Sequence, residues 1–453
     1  MRVEEAATLA MKVAKDAGAD EAEVFVVSSH TLSAYIDDSR VKSVEQKVDM
    51  GMSIRVLRNG RVGQSSSFLA GPKQVDACAR AGVKVSALLP KDTVFKHFPW
   101  SAKSAVKVRT LDPAVADLTA ETMAEFAKAI VTSGAEAKKV KVPNGVLRAA
   151  IIESRLMNSN EVDVSRKASM VFAHVTSMTE GGSPGEGEVS FYSPELRALD
   201  ATGLGLELKR KAKAAAQAVG YKGRTNLSAV FAPHDLAEMF RGSISFALSA
   251  ENVNRRRSPW MKSVGKPVAA PVIELVDDPS DPRGVLSSPF DDEGVPATKK
   301  ALIKKGVLNG FLYDVYNASM SQKPPTGNGL RRSSLESVGN YHLPVSIAPM
   351  CMVLRPGTKS VEQIIAEMDE GIVVEKISAP DVHPITGAFG LEVRCGHLVK
   401  KGEVVRSVKH CLLVGNLFQA LGKVGAVAND STVSMNHILP SVCFEGLELA
   451  GSD

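Results

Sequence analysis

Carboxylates set among turn-forming residues are the part of this chain best placed to do chemistry. Val276-Asp277-Asp278-Pro279 is followed by Ser287-Ser288-Pro289-Phe290-Asp291-Asp292-Glu293-Gly294-Val295-Pro296. Asp277, Asp278, Asp291, Asp292 and Glu293 offer hard oxygen ligands that could hold a divalent cation. Aspartates beside Pro and Gly also bond their own backbone and fix tight turns. The second reading, turns and hydrogen bonds that hold a cleft wall, is the favoured one. On it, Asp291 and Asp292 fix the loop from Ser287 to Pro296.

Other residues invite chemistry and have plainer explanations. Cys395-Gly396-His397 and His410-Cys411 could be metal ligands, but on strands 395 and 397 share a face while 410 and 411 do not. At most three could converge, and ordinary strand positions are the better reading. Asp235, after Pro233-His234, reads as a charge on a helix N-terminus rather than a base. His383-Pro384, ahead of Thr386-Gly387, reads as a structural turn, with lining of a groove as the alternative. Asn254-Arg255-Arg256-Arg257-Ser258 and Gly329-Leu330-Arg331-Arg332-Ser333 are compact basic loops. They could bind phosphate, meet a partner's acidic groups, or pair internally with the acidic run. No nucleophile–base pair or metal constellation has convincing spacing, so no catalytic residue and no bound metal is assigned.

The elements that must position these residues follow from periodicity. Val3, Ala6, Ala7, Ala10, Val13 and Ala14 define a helix over 3–17, stopped at Gly18. Strands are expected at 23–27 and 32–36, then a hairpin about Asn59-Gly60. Helices are expected at 72–86 and 119–133, the second capped by Thr119. A β-rich stretch from Val146 to Phe191, turning at Glu180-Gly181-Gly182-Ser183-Pro184-Gly185, echoes the first as a degenerate internal repeat. A basic helix follows at 204–218, with Lys209 to Lys213 on its wet face. Beyond it come a strand at 229–231 and a helix at 233–250. From Val272 onward short strands are expected, with one clear helix at 361–368. The order suggests an α+β fold in two domains. Residues 1–222 would form a mixed α/β domain, and 223–453 a β-rich, mostly antiparallel domain with a few helices.

Composition narrows the function classes. A chain of 453 residues with 44% hydrophobic and 23% charged content is ordinary globular protein, too long for one core. A net charge of +5 is thin and dispersed, and aromatics are only 5%, which disfavours nucleic acid as a partner. Five scattered cysteines point to reduced thiols and a cytoplasmic setting. The start of the chain lacks an apolar signal core, and the most apolar stretch, 344–354, is far too short for a membrane span.

The acidic run, taken with Asp49-Met50-Gly51-Met52-Ser53-Ile54-Arg55-Val56-Leu57, Ile303-Lys304-Lys305-Gly306-Val307-Leu308, Phe311-Leu312-Tyr313-Asp314, Thr326-Gly327-Asn328-Gly329, Thr386-Gly387-Ala388-Phe389-Gly390 and Leu447-Glu448-Leu449-Ala450-Gly451, resembles the TldD/PmbA family. Catalytic members of that family are zinc peptidases. The resemblance covers nearly the whole chain and assigns the acidic residues and Asn328 to a signature cleft. It also implies a HExxxH motif on the helix after the first strand of the second domain, with two histidines on zinc and the glutamate as general base. Here that slot reads Arg241-Gly242-Ser243-Ile244-Ser245-Phe246. Arg241, Gly242 and Phe246 stand where His, Glu and His would be needed. No histidine in the chain is followed by glutamate, and Ala426 to Ser434, expected to supply a cysteine ligand, has none. The chain therefore resembles the PmbA (TldE) branch. That resemblance implies a non-catalytic subunit paired with a zinc-bearing TldD-like homologue, or with itself, acting on unfolded peptides, with zinc only in the partner. An independent peptidase and a gyrase- or nucleic-acid-associated regulator are the competing readings.

Overall fold

The computed structural model describes residues 1–104, 106–182, 184–331 and 340–451. Its N-terminal half is one unit used twice. α1 (Val3–Asp16) leads into β1 (Glu21–Asp37), β2 (Arg40–Arg58), β3 (Arg61–Phe68) and α2 (Pro72–Leu88). After the one-turn α3 (Pro113–Ala116), α4 (Ala120–Gly134) leads into β4 (Val140–Asn158), β5 (Asp163–Thr179), β6 (Glu186–Ser193) and α5 (Ala201–Gln217). The strands form one antiparallel sheet in the order β3-β2-β1-β4-β5-β6, so the two copies meet along β1 and β4. This is the repeat expected from the sequence.

The local chemistry explains most of these elements. Asn59 and Gly60 take φ of 51° and 71°, the left-handed pair that a two-residue hairpin requires. Thr119 Oγ1 accepts from the Thr122 N–H at 3.2 Å and caps α4. One expectation fails. The strands expected at 23–27 and 32–36 are a single 17-residue strand, β1. Ser28 to Thr31 breaks the apolar run, but Ser29 and Thr31 are buried between β2 and β4, whose ladders satisfy that backbone on both sides.

All four long helices cover one face of the sheet. Val24, Val26, Met52, Ile54 and Val56 share a core with α1 and α2, while Ala34, Leu147 and Val171 share one with α4 and α5. Strand alternation turns Glu23, Phe25, Val27 and Arg55 to the opposite face, toward the C-terminal half.

Val219–Gly220, just ahead of the boundary expected at 222–223, already pairs with Val408–Lys409. Strands Arg224–Phe231, Glu370–Ile377, Ala388–Lys400, Cys411–Asn416 and Val442–Gly451 pair in a closed ring. Only the pairing of Glu370–Ile377 with Arg224–Phe231 is parallel in that ring. Its interior, with Phe231, Leu391, Leu413 and Leu449, shares one core with α6 (Pro233–Leu248), which buries Leu236, Phe240 and Ile244. A second, six-stranded sheet includes Leu275–Asp277, Met352–Leu354 and His437–Leu439.

The helix expected at 233–250 ends at Leu248, and a short one follows at Ala250–Asn254. The expectation of one clear helix beyond 272 undercounts. Val361–Ala366 is present, but so are Val315–Ser321 and Leu417–Ala420, each too short to show helical periodicity. All five cysteines are buried and unpaired. Among the described residues no helix is long and apolar enough to cross a membrane.

Candidate functional site

A cavity of about 370 Å³ lies between the free face of the N-terminal sheet and α6. Phe25, Val27, Ile152 and Met170 form one wall, and Arg241, Gly242, Ser245 and Phe246 form another. Spacings of one, four and five residues put these last four on one stripe of the helix, opposite Leu236 and Phe240. The slot identified from the sequence therefore faces the cavity. The Arg241 guanidinium is clamped by Glu238 through two contacts of 2.7 Å. Its Nε and the Ser245 hydroxyl have no partner among the described residues.

These residues do not fit zinc. A zinc site needs lone-pair donors from imidazole, thiolate or carboxylate. Guanidinium has none to give, glycine has no side chain, and phenylalanine carries only hydrocarbon. Among the described residues no three of His, Cys, Asp and Glu are grouped closely enough to hold a metal ion. Sequence reading passed over His437. It is fully buried, both ring nitrogens lack a partner among the described residues, and burial, helped by Arg241, pushes its pKa down to about 3. Nothing in the sequence distinguishes it from a core residue of the strand His437–Leu439.

The acidic signature forms a lattice of bonds rather than an open ligand cluster. Asp277 Oδ1 accepts from the Met350 and Cys351 N–H groups, each at 2.9 Å. Its Oδ2 takes Asn328 Nδ2 at 2.7 Å and Lys300 Nζ at 3.1 Å. Asp278 holds Ser280 and Lys299; burial raises its pKa, but these bonds outweigh that and the net shift is downward. Asp291 Oδ1 accepts from the Glu293 and Val295 N–H groups, and Oδ2 from the Gly329 N–H. Asp291 thus closes its own loop and ties it to Gly329, and Asp292 adds a second tie to that distant segment by accepting from the Arg331 N–H at 2.8 Å. Gly329 is needed here because a Cβ would fall 2.3 Å from Glu293 Oε2.

Glu293 carries the lattice across to the N-terminal half. Its Oε1 receives Arg55 Nη2 at 2.8 Å and its Oε2 the Val315 N–H at 2.8 Å. Arg55 also grips Glu23, its cross-strand neighbour, with bonds of 2.9 and 2.8 Å. Glu23 Oε1 then receives Arg331 Nη2 at 2.7 Å. Glu23, Glu293 and Arg331 are each at most 1% exposed. Burial and the neighbouring Glu293 raise the pKa of Asp291; burial, Asp314 and Glu23 raise that of Glu293 against the pull of Arg55. Glu23 and Arg55 were missed from sequence. Their only signal is a charged residue of each sign on the same face of two adjacent strands.

The remaining candidates separate. His397 bonds Ser407 Oγ at 2.9 Å and Glu375 at 3.1 Å, while His410 lies at a turn, exposed, with Glu392 at 3.9 Å. Cys395 and Cys411 point into buried surroundings that raise their pKa to about 11. The Cys395, His397, His410 and Cys411 set therefore does not converge. His383 Nδ1 accepts from the Thr386 N–H at 3.1 Å, closing a turn. In the first basic loop Arg255 pairs with Glu251 and Arg257 lies over Phe246. In the second, Arg331 is internal, and Arg332 and Ser333 lie outside the described residues.

Comparison with known proteins places this architecture. A model described as the PmbA/TldA metallopeptidase C-terminal domain matches residues 224–451, and one for PmbA/TldA metallopeptidase domain 1 matches residues 22–86. An uncharacterized protein of Methanocaldococcus jannaschii is 28% identical over 437 residues, covering 94% of this chain and 95% of its own. The metalloprotease PmbA of Escherichia coli O157:H7 is 26% identical over 220 residues, 48% of this chain and 44% of its own. The crystal structure of TldE from Thermococcus kodakarensis matches in fold with a TM-score of 0.90, at 24% identity over 98% of this chain and all of that one.

Proposed function

The chain belongs to the PmbA/TldD family of metallopeptidases, and on that premise we propose that it is the non-catalytic, TldE-like subunit of a zinc peptidase complex. It pairs with a zinc-bearing TldD-like homologue in the cytoplasm and helps hold unfolded peptides for trimming or degradation. The observation that carries the reading is the cavity between the halves. Arg241, Gly242 and Phe246 line it at the slot where catalytic relatives would carry their zinc ligands, and none of the three can bind or activate a metal-bound water.

The surrounding architecture supports the same reading. The acidic signature, of which Asp292 lines the cavity, is elaborated in detail although the donor set for zinc is missing. A cleft kept in shape without chemistry of its own is suited to contacts, with peptide or with another subunit. Phe25, Val27, Ile152, Met170 and Phe246 give the cavity an apolar lining suited to a peptide side chain.

A stable subunit interface buries about 1,600 Å² in total, so the complex should persist at low micromolar concentration. Light scattering of this chain, alone and mixed with a zinc-bearing homologue from the same genome, tests the pairing. The expected result is a dimer, with the mixed species displacing any homodimer. A strict monomer at high concentration that also ignores the homologue would overturn the reading.

A further inference from the structure

A second cavity, of about 560 Å³, lies between α5, β6, the start of α6 and the strand Glu370–Ile377. Its charged lining is dense, yet nearly every charge is bonded. Arg210 binds Glu207 and Glu375, Lys376 binds Glu186 and Glu188, and Arg241 binds Glu238. Two residues differ. Asp235 is 8% exposed, lines the cavity, and has no hydrogen bond or ion pair among the described residues. Lys211, on the facing helix, lines the same cavity and is likewise without a bonded partner.

An isolated buried carboxylate is costly, so Asp235 needs explanation. It does not cap its helix: the residue at the cap is Ala232, and no side chain bonds that helix end. Burial raises its pKa to about 7, against the pull of Lys211. The groups that face it are Glu186 and Glu188 from β6, Glu207 and Lys211 from α5, and Glu375 and Lys376 from the strand Glu370–Ile377, beside His234 and Glu238 of its own helix. Arg210 and Lys376 each serve two carboxylates, so the lining stays net negative, and Asp235 and Lys211 are its two charged residues without a bonded partner among the described residues.

We propose that this cavity binds a zwitterionic amino acid or short peptide, with Asp235 receiving the ammonium and Lys211 the carboxylate. A ligand with both groups completes both residues at once. A simple dication would leave Lys211 repelled, and an anion would meet Asp235 and the surrounding glutamates. The volume falls within the range of small-molecule sites and has room for two or three small residues. The site is separate from the cavity beside Arg241 and does not depend on pairing with a zinc-bearing subunit.

The test is calorimetric titration of the full chain with trialanine, N-acetyl-trialanine and trialanine amide. Wild type should bind trialanine saturably. Asp235→Asn or N-acetylation should weaken binding about tenfold or more, and Lys211→Met or C-terminal amidation several-fold, as expected for loss of one charge-assisted bond. Ser245→Ala, which lines only the other cavity, should leave it unchanged. Absence of saturable binding by wild type, equal binding by Asp235→Asn, or loss confined to Ser245→Ala would overturn the proposal. Melting temperatures of the variants, measured alongside, separate loss of the site from loss of the fold.

Discussion

Two charged regions lie where the halves of the molecule meet, and they are built on opposite rules. Around Glu23, Arg55, Glu293 and Arg331 each carboxylate has a charged or backbone donor within 3 Å. Among the described residues, neither Asp235 nor Lys211 has a hydrogen-bond or ion-pair partner, though both line one cavity. The first region reads as architecture, because each of its carboxylates is bonded to a guanidinium and the set clamps the N-terminal sheet to the signature loop, with only Nε and Nη1 of Arg331 lacking a partner among the described residues. The second reads as a site, because its charges are complete only when something else is present. Burial alone does not separate the two; bonding does.

The sharpest way to break this contrast is to remove one member of the clamp. Arg55→Met strands Glu23 and Glu293 in a low-dielectric seam and should cost about 3–5 kcal/mol in urea unfolding. Arg224→Met, which removes an exposed pair with Glu448, should cost less than about 1 kcal/mol. Equal losses would mean that the seam pairs are no more structural than surface ones.

Asp291→Ala should follow in size, at about 2–3 kcal/mol, because three backbone N–H groups lose a shielded acceptor. Asp292→Ala should also lower the melting temperature, by the smaller loss of the Arg331 N–H bond. Both effects should be the same with and without calcium or magnesium. A loss seen only with added metal would turn the signature from architecture into a cation site.

The seam also marks the limit of what the sequence could tell. The repeat, the Asn59-Gly60 hairpin and the Thr119 cap were legible because their causes are local: periodicity, a left-handed pair, a hydroxyl one turn from its N–H. Arg241, Gly242 and Phe246 were legible as a slot only through the family resemblance, and that Ser245 shares their stripe came from the structure. The closed ring of strands was not, because its closure joins residues far apart in the chain. The clamp was hidden for the same reason: Glu23 and Arg331 are 308 positions apart. Asp235 was read as a helix-dipole charge, which its position permits. Its burial against α5 and β6 has no local signal.

The second region should respond in the opposite direction, and more weakly. The Asp235 carboxyl moves from an ordinary value near 3.8 to about 7 on folding. A raised carboxyl pKa adds stability that is complete below the unfolded value and is lost as pH climbs through the folded one. Wild type should therefore lose stability between about pH 4 and pH 7 relative to Asp235→Asn. The variant should be about 1–3 kcal/mol more stable at pH 8 and nearly equal at pH 4, the figure being reduced because the cavity admits water. A variant less stable than wild type at pH 8 would show that Asp235 has a bonded structural role after all.

The central claim is that this chain shapes a peptidase cleft without doing its chemistry. Zinc content and casein cleavage, measured on the purified chain before any chelator treatment and again after mixing with the zinc-bearing homologue, test it most directly. The account predicts no stoichiometric zinc and no cleavage from the chain alone, and chelator-sensitive cleavage from the mixture exceeding that of the homologue by itself. One tightly bound zinc per chain, with chelator-sensitive cleavage by the isolated protein, would contradict it.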